Sequence, residues 1–390
     1  MYNNKLSNKG INVHDPVFNT FKNAKPRNKI PQYQLEVRSQ RICLDYEKNA
    51  LLQQIFGMEL IPLTESLHRR KEALAAGVYF ATFSYGGYLG VLFSIYLCFT
   101  RFWWLSLIYI CSIYLDRKTC ENGGRPSNWI QKLSWWQHLR NYFPVRTVLM
   151  PGFELHPNKN FLFCCFPHGV IPCGPISSLV TPGNTLQKRY PELILKLAGM
   201  ELFFYLPFTK EIGLGLGGIS CSAKSLTYVL NKPEGGYGVI LYPGGAAEAI
   251  CARPGQHRIV LKERKGFVKI ALKTGASLVP VFTFGEVELF DQIQNPLICR
   301  CQLLWKKLFR YTLALPLGSG FFQTSFGLIP RRKPLFTVVG QPIDVARVEN
   351  PTQEEIDELH QKFIKQLVNL FDTYKYDYLV DPEAKILELE

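Results

Sequence analysis

A chain of 390 residues with 47% apolar and 13% aromatic side chains can bury one large core or two ordinary ones, and it lacks the profile of a polytopic transporter. Its formal net charge of +14 points to a polyanionic partner: nucleic acid, an anionic membrane face or a phosphorylated substrate. The eleven cysteines form no CxxC pair and several sit inside apolar runs, so neither a disulfide framework nor a metal site is expected.

Residues 1–41 hold eight Lys or Arg against two acids and read as a basic arm of low order, with an amphipathic segment over 32–56. Met1 to Val13 has no apolar stretch of the kind a cleaved signal peptide needs. After the cluster His68-Arg69-Arg70-Lys71, residues 77–100 form a run of 24 without a charge. That is enough to cross a bilayer core of about 30 Å. Arg101 interrupts, and residues 102–115 make a second uncharged run of 14, short for a straight span. Arg117 and Lys118 close the pair as Arg69, Arg70 and Lys71 open it. Basic borders on both sides set both ends in the cytosol, which requires two passes or a re-entrant hairpin. The competing reading is a helical pair buried in a soluble core. Residues 120–150, with Trp129, Trp135 and Trp136, are expected to connect along the headgroups. The expected division is therefore an arm (1–68), a membrane hairpin (69–118) and a third part (119–390).

From Gly152 onward, short apolar runs alternate with helical stretches, which predicts an α/β domain with a mixed or parallel sheet flanked by helices. Strands are expected at 161–166, 201–206, 238–242, 277–282 and 335–339. Helices are expected at 186–198, 222–230, 265–274 and 352–374, the last opened by a capping box of Thr352 and Glu355.

Four stretches of this part offer chemistry. Pro167-His168-Gly169 ends the apolar run 161–166, and an imidazole at the mouth of a buried strand suits a general base. A lone histidine there is also compatible with a satisfied core or turn residue. Tyr242-Pro243-Gly244-Gly245-Ala246-Ala247-Glu248 follows another buried strand. Its glycines can expose N–H groups to a phosphate or oxyanion, or can simply build a tight turn. Arg264 and then Lys265, Lys269 and Lys273 at helical spacing form a row able to grip phosphates, or a solvated face. Phe284-Gly285-Glu286 puts a carboxylate at a strand end, to orient a base or a hydroxyl, or to cap a helix. Gly213-Leu214-Gly215-Leu216-Gly217-Gly218 satisfies GxGxxG, but Pro207 and Thr209-Lys210-Glu211 part it from the strand before, against a dinucleotide site. No nucleic-acid motif and no GxSxG is present.

In this order the stretches resemble the diacylglycerol acyltransferase type-2 family, which includes the monoacylglycerol acyltransferases and wax synthases. The resemblance runs from about Leu60 to the C-terminus. It includes Tyr142-Phe143-Pro144, Pro167-His168-Gly169, the Gly-Gly-Ala-Ala-Glu run ending at Glu248, Arg264-Lys265-Gly266-Phe267 and Leu278-Val279-Pro280 through Glu286. Phe326-Gly327-Leu328-Ile329-Pro330 and Val338-Val339-Gly340-Gln341-Pro342-Ile343 extend it, and Phe290-Asp291-Gln292-Ile293 leans toward the monoacylglycerol branch. Membership implies an endoplasmic-reticulum membrane enzyme with both termini cytosolic and the lipid droplet as a second destination. It would move a fatty acyl group from acyl-CoA to a mono- or diacylglycerol hydroxyl, with acyl-CoA as co-substrate, no further cofactor, no nucleic-acid partner and the oligomeric state left open. His168 would be the general base and Glu248 the group that orients its imidazole or stabilises the protonated ring. Gly169, Gly244, Gly245, Arg264, Lys265, Lys269 and Glu286 would bind substrate. Three departures stand out. Phe166 replaces the first His of His-Pro-His-Gly, Leu317-Gly318-Ser319-Gly320 replaces His-Gly-Arg-Gly, and Val287 replaces an Asn. They leave two rivals open: a wax synthase acting on a fatty alcohol, and a catalytically silent interaction protein of the membrane or lipid droplet.

Overall fold

The structure is a computed structural model that describes residues 66–390 apart from 182, 293–296, 298, 299, 303 and 305–315. The basic arm and the amphipathic segment expected over 32–56 lie outside the described residues.

Helix α1 (Leu67–Cys98) is capped by the Ser66 hydroxyl, which accepts from the Arg69 N–H, and it contains a π-helical turn at Thr82–Gly86. A turn over 99–102 leads into α2 (Trp103–Asp116), followed by α3 (Trp135–Tyr142) and strand β1 (Val145–Leu149). Next come β2 (Phe161–Phe166), β3 (Ile194–Gly199), α4 (Thr209–Gly215), β4 (Ile219–Ser220), α5 (Ala223–Leu230), β5 (Tyr237–Leu241) and α6 (Ala246–Cys251). The chain ends through β6 (His257–Ile259), α7 (Gly266–Thr274), β7 (Ser277–Phe284), β8 (Asp291–Gln292), β9 (Pro316–Leu317), β10 (Leu335–Val339), α8 (Gln353–Tyr378) and β11 (Leu387–Leu389).

Seven strands form one mixed sheet in the order β1-β10-β7-β2-β5-β3-β4. β2 is its centre, parallel to both β5 and β7, while β10 runs antiparallel to β7. All six residues of β2 are buried, as an unbroken apolar run requires when both faces of a sheet are covered. Leu162, Cys164 and Phe166 join one core with α7 and α8; Phe161, Phe163 and Cys165 join another on the opposite face. α8 starts with the expected box: the Thr352 hydroxyl accepts from the Glu355 N–H at 3.2 Å and the Glu355 carboxylate from the Thr352 N–H at 2.8 Å. It then buries Phe363, Leu367, Leu370 and Phe371 completely, each contributing about 1.5–3 kcal/mol.

Two expected elements differ. The helix expected over 186–198 stops at Thr185–Arg189, because Pro191 cannot continue it, and the following apolar residues form β3 beside β5. The strand expected over 201–206 is a 3₁₀ turn, Glu201–Phe204: β4 already occupies that edge of the sheet. The connector 120–150 also departs from a simple headgroup strap, since Trp136 is buried and β1 pairs with β10.

The front half of α1 is a core helix. Ala75, Ala76, Tyr79 and Phe80 are buried with Trp136, Leu139, Phe143 and Leu335. Buried Glu72 pairs with Arg332 and meets His68 at 3.1 Å. Past Gly90 the same helix exposes Leu92, Phe93, Ile95 and Tyr96, and α2 exposes Trp103, Trp104, Leu107, Ile108 and Ile110. The Ser106 hydroxyl donates to the Ser94 carbonyl at 2.8 Å, and Asp116 pairs with buried Lys210 on α4 at 3.3 Å. By length and composition, α1 is long and apolar enough to cross a membrane.

Candidate active site

β2 delivers His168 to the carboxyl ends of the parallel strands, where loops converge. Two buried carboxylates clamp the loop that bears it. Glu248, in the first turn of α6, accepts the backbone N–H of His168 at 2.7 Å and that of Val260 at 2.9 Å. Glu286 accepts the N–H groups of Cys173 and Gly174, each at 2.7 Å. Burial pushes the Glu248 carboxyl up to about 7 and that of Glu286 up to about 8, against the opposing pull of these N–H groups. The glycines make room for the clamps. Gly169 has φ +64° and a Cβ there would stand 3.0 Å from Glu286 Cγ; a Cβ on Gly244 would collide with the Glu248 carboxylate.

The expectation that Glu248 orients the imidazole therefore meets a different geometry: its bond goes to the His168 backbone. The ring is set by its own neighbour, since Nδ1 lies 3.0 Å from the Gly169 carbonyl oxygen. A carbonyl can only accept, so Nδ1 carries the proton and Nε2 keeps a free lone pair. Burial holds the ring below its ordinary pKa, which keeps it neutral at pH 7. Cys164, Cys165 and Cys173 are buried nearby, and burial pushes all three thiols up, away from the nucleophilic thiolate.

His168 lies on the wall of an apolar cavity of about 220 Å³, which α1 lines with Tyr79, Phe80 and Phe83. Tyr79 also donates to the Pro172 carbonyl at 2.8 Å, tying α1 to the histidine loop. A second, open groove is lined by Lys224, Arg264, Lys265, Lys269 and Lys273. The two hollows share Met200, Cys221, Leu241, Tyr242, Gly245 and Ala246. The structure thus brings the expected Arg264, Lys265 and Lys269 to one surface beside Gly244 and Gly245, although Lys265 is engaged by Asp357 at 2.8 Å. Glu286 lies beneath the loop, buried and bonded to backbone rather than open to a ligand. Tyr242 acquires a place that spacing alone did not reveal: its ring meets that of His168 edge-on at 5.3 Å, and its buried hydroxyl has no hydrogen-bond partner among the described residues. Lys224, on α5, joins the groove from a stretch without any charge run to announce it. Among the described residues no cluster of His, Cys, Asp or Glu could hold a metal ion.

The family model of diacylglycerol acyltransferases matches residues 95–390. The chain belongs to the diacylglycerol acyltransferase family. It is 37% identical over 333 residues to the 2-acylglycerol O-acyltransferase 1 of Bos taurus, covering 85% of this chain and 98% of that protein. To the diacylglycerol O-acyltransferase 2 of Dictyostelium discoideum it is 35% identical over 322 residues, covering 82% and 96%. To the acyl-CoA wax alcohol acyltransferase 1 of Homo sapiens it is 35% identical over 299 residues, covering 76% and 90%.

In this member of the diacylglycerol acyltransferase family, Phe166 is fully buried and packs against Phe363 of α8, with ring centroids 6.3 Å apart. It therefore points away from the face of the sheet on which His168 stands. Val287 is also buried, and Ser319 bonds within its own loop, donating to the Thr324 carbonyl at 3.3 Å. Tyr142 and Phe143 are structural: the Tyr142 hydroxyl donates to the Pro330 carbonyl at 2.6 Å and Phe143 is wholly buried.

Proposed function

We propose that the protein is a membrane-bound acyl-CoA:acylglycerol O-acyltransferase that makes di- or triacylglycerol with His168 as general base. The observation that carries this reading is the junction between the apolar cavity and the cationic groove at Tyr242, Gly245 and Ala246, beside His168. An acyl-CoA is a polyanion joined to a long apolar chain, and it needs one hollow of each kind. Arg264, Lys269 and Lys273 hold its phosphates, whereas Lys224 on the same groove is engaged by Glu121 at 2.7 Å; the cavity takes apolar chain; the thioester lies between. The acceptor hydroxyl attacks the thioester carbon while His168 Nε2 takes its proton. The C–S bond then breaks, and the departing thiolate recovers the proton. With the nearby thiols held protonated, transfer is direct.

The hairpin is read as re-entrant. Gly87–Cys98 has 12 residues and Trp103–Asp116 has 14. At 1.5 Å per residue these rise about 18 and 21 Å, short of a bilayer core of about 30 Å. Their exposed Leu, Ile, Phe and Trp side chains enter the cytosolic leaflet of the endoplasmic-reticulum membrane, and both termini stay on the cytosolic side. α1 carries this lobe at one end and the cavity wall in its middle, so an acylglycerol reaches His168 directly from the lipid.

The test is acyl transfer by the purified full-length chain in detergent micelles, with labelled acyl-CoA and monoacylglycerol, diacylglycerol and fatty alcohol offered separately. Ester formation on an acylglycerol supports the reading; transfer to fatty alcohol alone makes the protein a wax synthase, and no transfer to any acceptor removes the activity.

A further inference from the structure

Gly213 and Gly218, the two ends of the GxGxxG run that no dinucleotide site explains, both line the apolar cavity, and so does Phe204. Phe204 ends the 3₁₀ turn that follows β3, and its buried ring fits among three glycines. A Cβ on Gly213 would stand 3.3 Å from Phe204 Cε1, one on Gly218 3.1 Å from the same atom, and one on Gly199 3.9 Å from Cζ. Behind the ring, Phe204 packs with buried Cys120 and Leu214, which shuts the wall on that side.

The sheet order gives the direction of the hollow. His168 follows β2, Tyr242 follows β5, Gly199 ends β3 and Gly218 immediately precedes β4, and these four strands lie side by side in that order. Neighbouring strands are about 4.8 Å apart, so the ring between β3 and β4 stands about 10–14 Å across the sheet from the strand that bears His168. The wall between them comes from the carboxyl ends of β5 and β3, with Leu241, Leu197 and Ala198. At its near end the hollow meets the cationic groove at Tyr242, Gly245 and Ala246. A thioester at that meeting point sends its phosphates into the groove and its alkyl chain along the sheet toward Phe204.

We propose that Phe204 is the stop at the blind end of the acyl-chain hollow and sets the longest acyl chain that the protein transfers, with Gly213 keeping space open beside its ring. The inference rests on the acyltransferase reading and deepens it by naming a specificity-determining residue. A donor chain that ends at the ring buries every methylene, each worth about fourfold in binding. A longer chain must displace a packed aromatic ring or fold back, and a close-packed wall resists added volume.

The experiment uses the full-length chain in micelles and offers acyl-CoAs of graded length as equimolar pairs, with one acylglycerol acceptor. The ratio of the two esters formed reads the ratio of kcat/KM, so it does not depend on how much of a variant is folded. For two chains that differ by two carbons just beyond the wild-type optimum, Phe204→Ala, and the milder Phe204→Leu, should shift the ratio about tenfold toward the longer one. Gly213→Ala, which the interior of a helix accepts, should shift it toward the shorter one, because its methyl takes space beside the ring. A second arm fixes the acyl-CoA and pairs acylglycerols of different chain length; there all variants should keep the wild-type ratio. Opposite shifts at Phe204 and Gly213 in the donor arm support the proposal. An unchanged donor ratio in both Phe204 variants, or a shift confined to the acceptor arm, overturns it. A wild type that forms no ester would instead overturn the acyltransferase reading on which it rests.

Discussion

Glu248 Oε2 accepts the backbone N–H of His168 at 2.7 Å, while the His168 ring turns its Nδ1 to the Gly169 carbonyl. The carboxylate thus positions the strand end that carries the proposed base and leaves the ring's proton affinity to burial. Glu248→Ala would remove the partner of two half-buried N–H groups, those of His168 and Val260, at up to about 1–3 kcal/mol each. A shift of the loop by about 1 Å costs on the order of 10² in kcat. The pH profile distinguishes this from a charge effect on the ring. Burial lowers the His168 pKa, so the neutral base persists below pH 6.5 and is lost as pH falls through the lowered value, on a limb below that of Glu248, whose carboxyl stands at about 7. Glu248→Gln should reduce kcat and leave the lower limb of kcat/KM where it is. A lower limb that moves with the substitution would place the carboxylate on the ring.

Lys269 and Lys273 face the groove together with Arg264, whereas Lys265 is shared with Asp357. Replacing Lys269 and Lys273 with Ala should raise the acyl-CoA KM about tenfold at low salt, equivalent to about 1.4 kcal/mol of lost binding. The difference should shrink as salt screens the phosphates. Lys265→Ala should do less. Steady-state kinetics at two ionic strengths checks both statements, and an unchanged KM in the double variant returns the row to an ordinary solvated face.

Phe166 fills the core between β2 and α8 and lies away from the cavity. Phe166→Ala should cost about 3–5 kcal/mol of stability, seen as a lower Tm and less folded protein. The fraction that remains folded should turn over with the wild-type KM. A selective loss of kcat without loss of Tm would instead give this position a part in the chemistry.

Much of this was legible in the residues. The unbroken apolar run of β2, the run of β10 and the capping box of α8 state their structures directly, because a two-faced strand and a reciprocal cap each need a particular local pattern. β3 was misread because Leu193 to Ala198 suits a helix or a strand at that length, and Pro191 was the signal that should have ended the helix. Hydropathy marks residues 77–100 as one apolar run but cannot tell Tyr79 and Phe80, which face protein, from Leu92 and Phe93, which do not. The sequence likewise marks Glu248 and Glu286 as carboxylates near glycines. Only packing shows that each spends its oxygens on backbone N–H groups.

The proposed re-entrant hairpin makes a topological prediction. Tags at residue 1 and residue 390 should both be cut by protease added to intact microsomes, while Trp103 and Trp104 should be quenched by brominated acyl chains. Protection of either tag would mean that α1, which is long and apolar enough to cross, spans the bilayer, and would overturn the re-entrant reading.

The central claim is that His168 removes the acceptor's proton, and single-turnover acyl transfer by His168→Ala tests it most directly. The substitution leaves the Glu248 bond to the backbone intact, so the protein should fold, enter membranes and bind acyl-CoA as wild type does. Transfer to an acylglycerol should fall by about 10²–10⁴-fold. Transfer at the wild-type rate would contradict the mechanism and take the base away from this site.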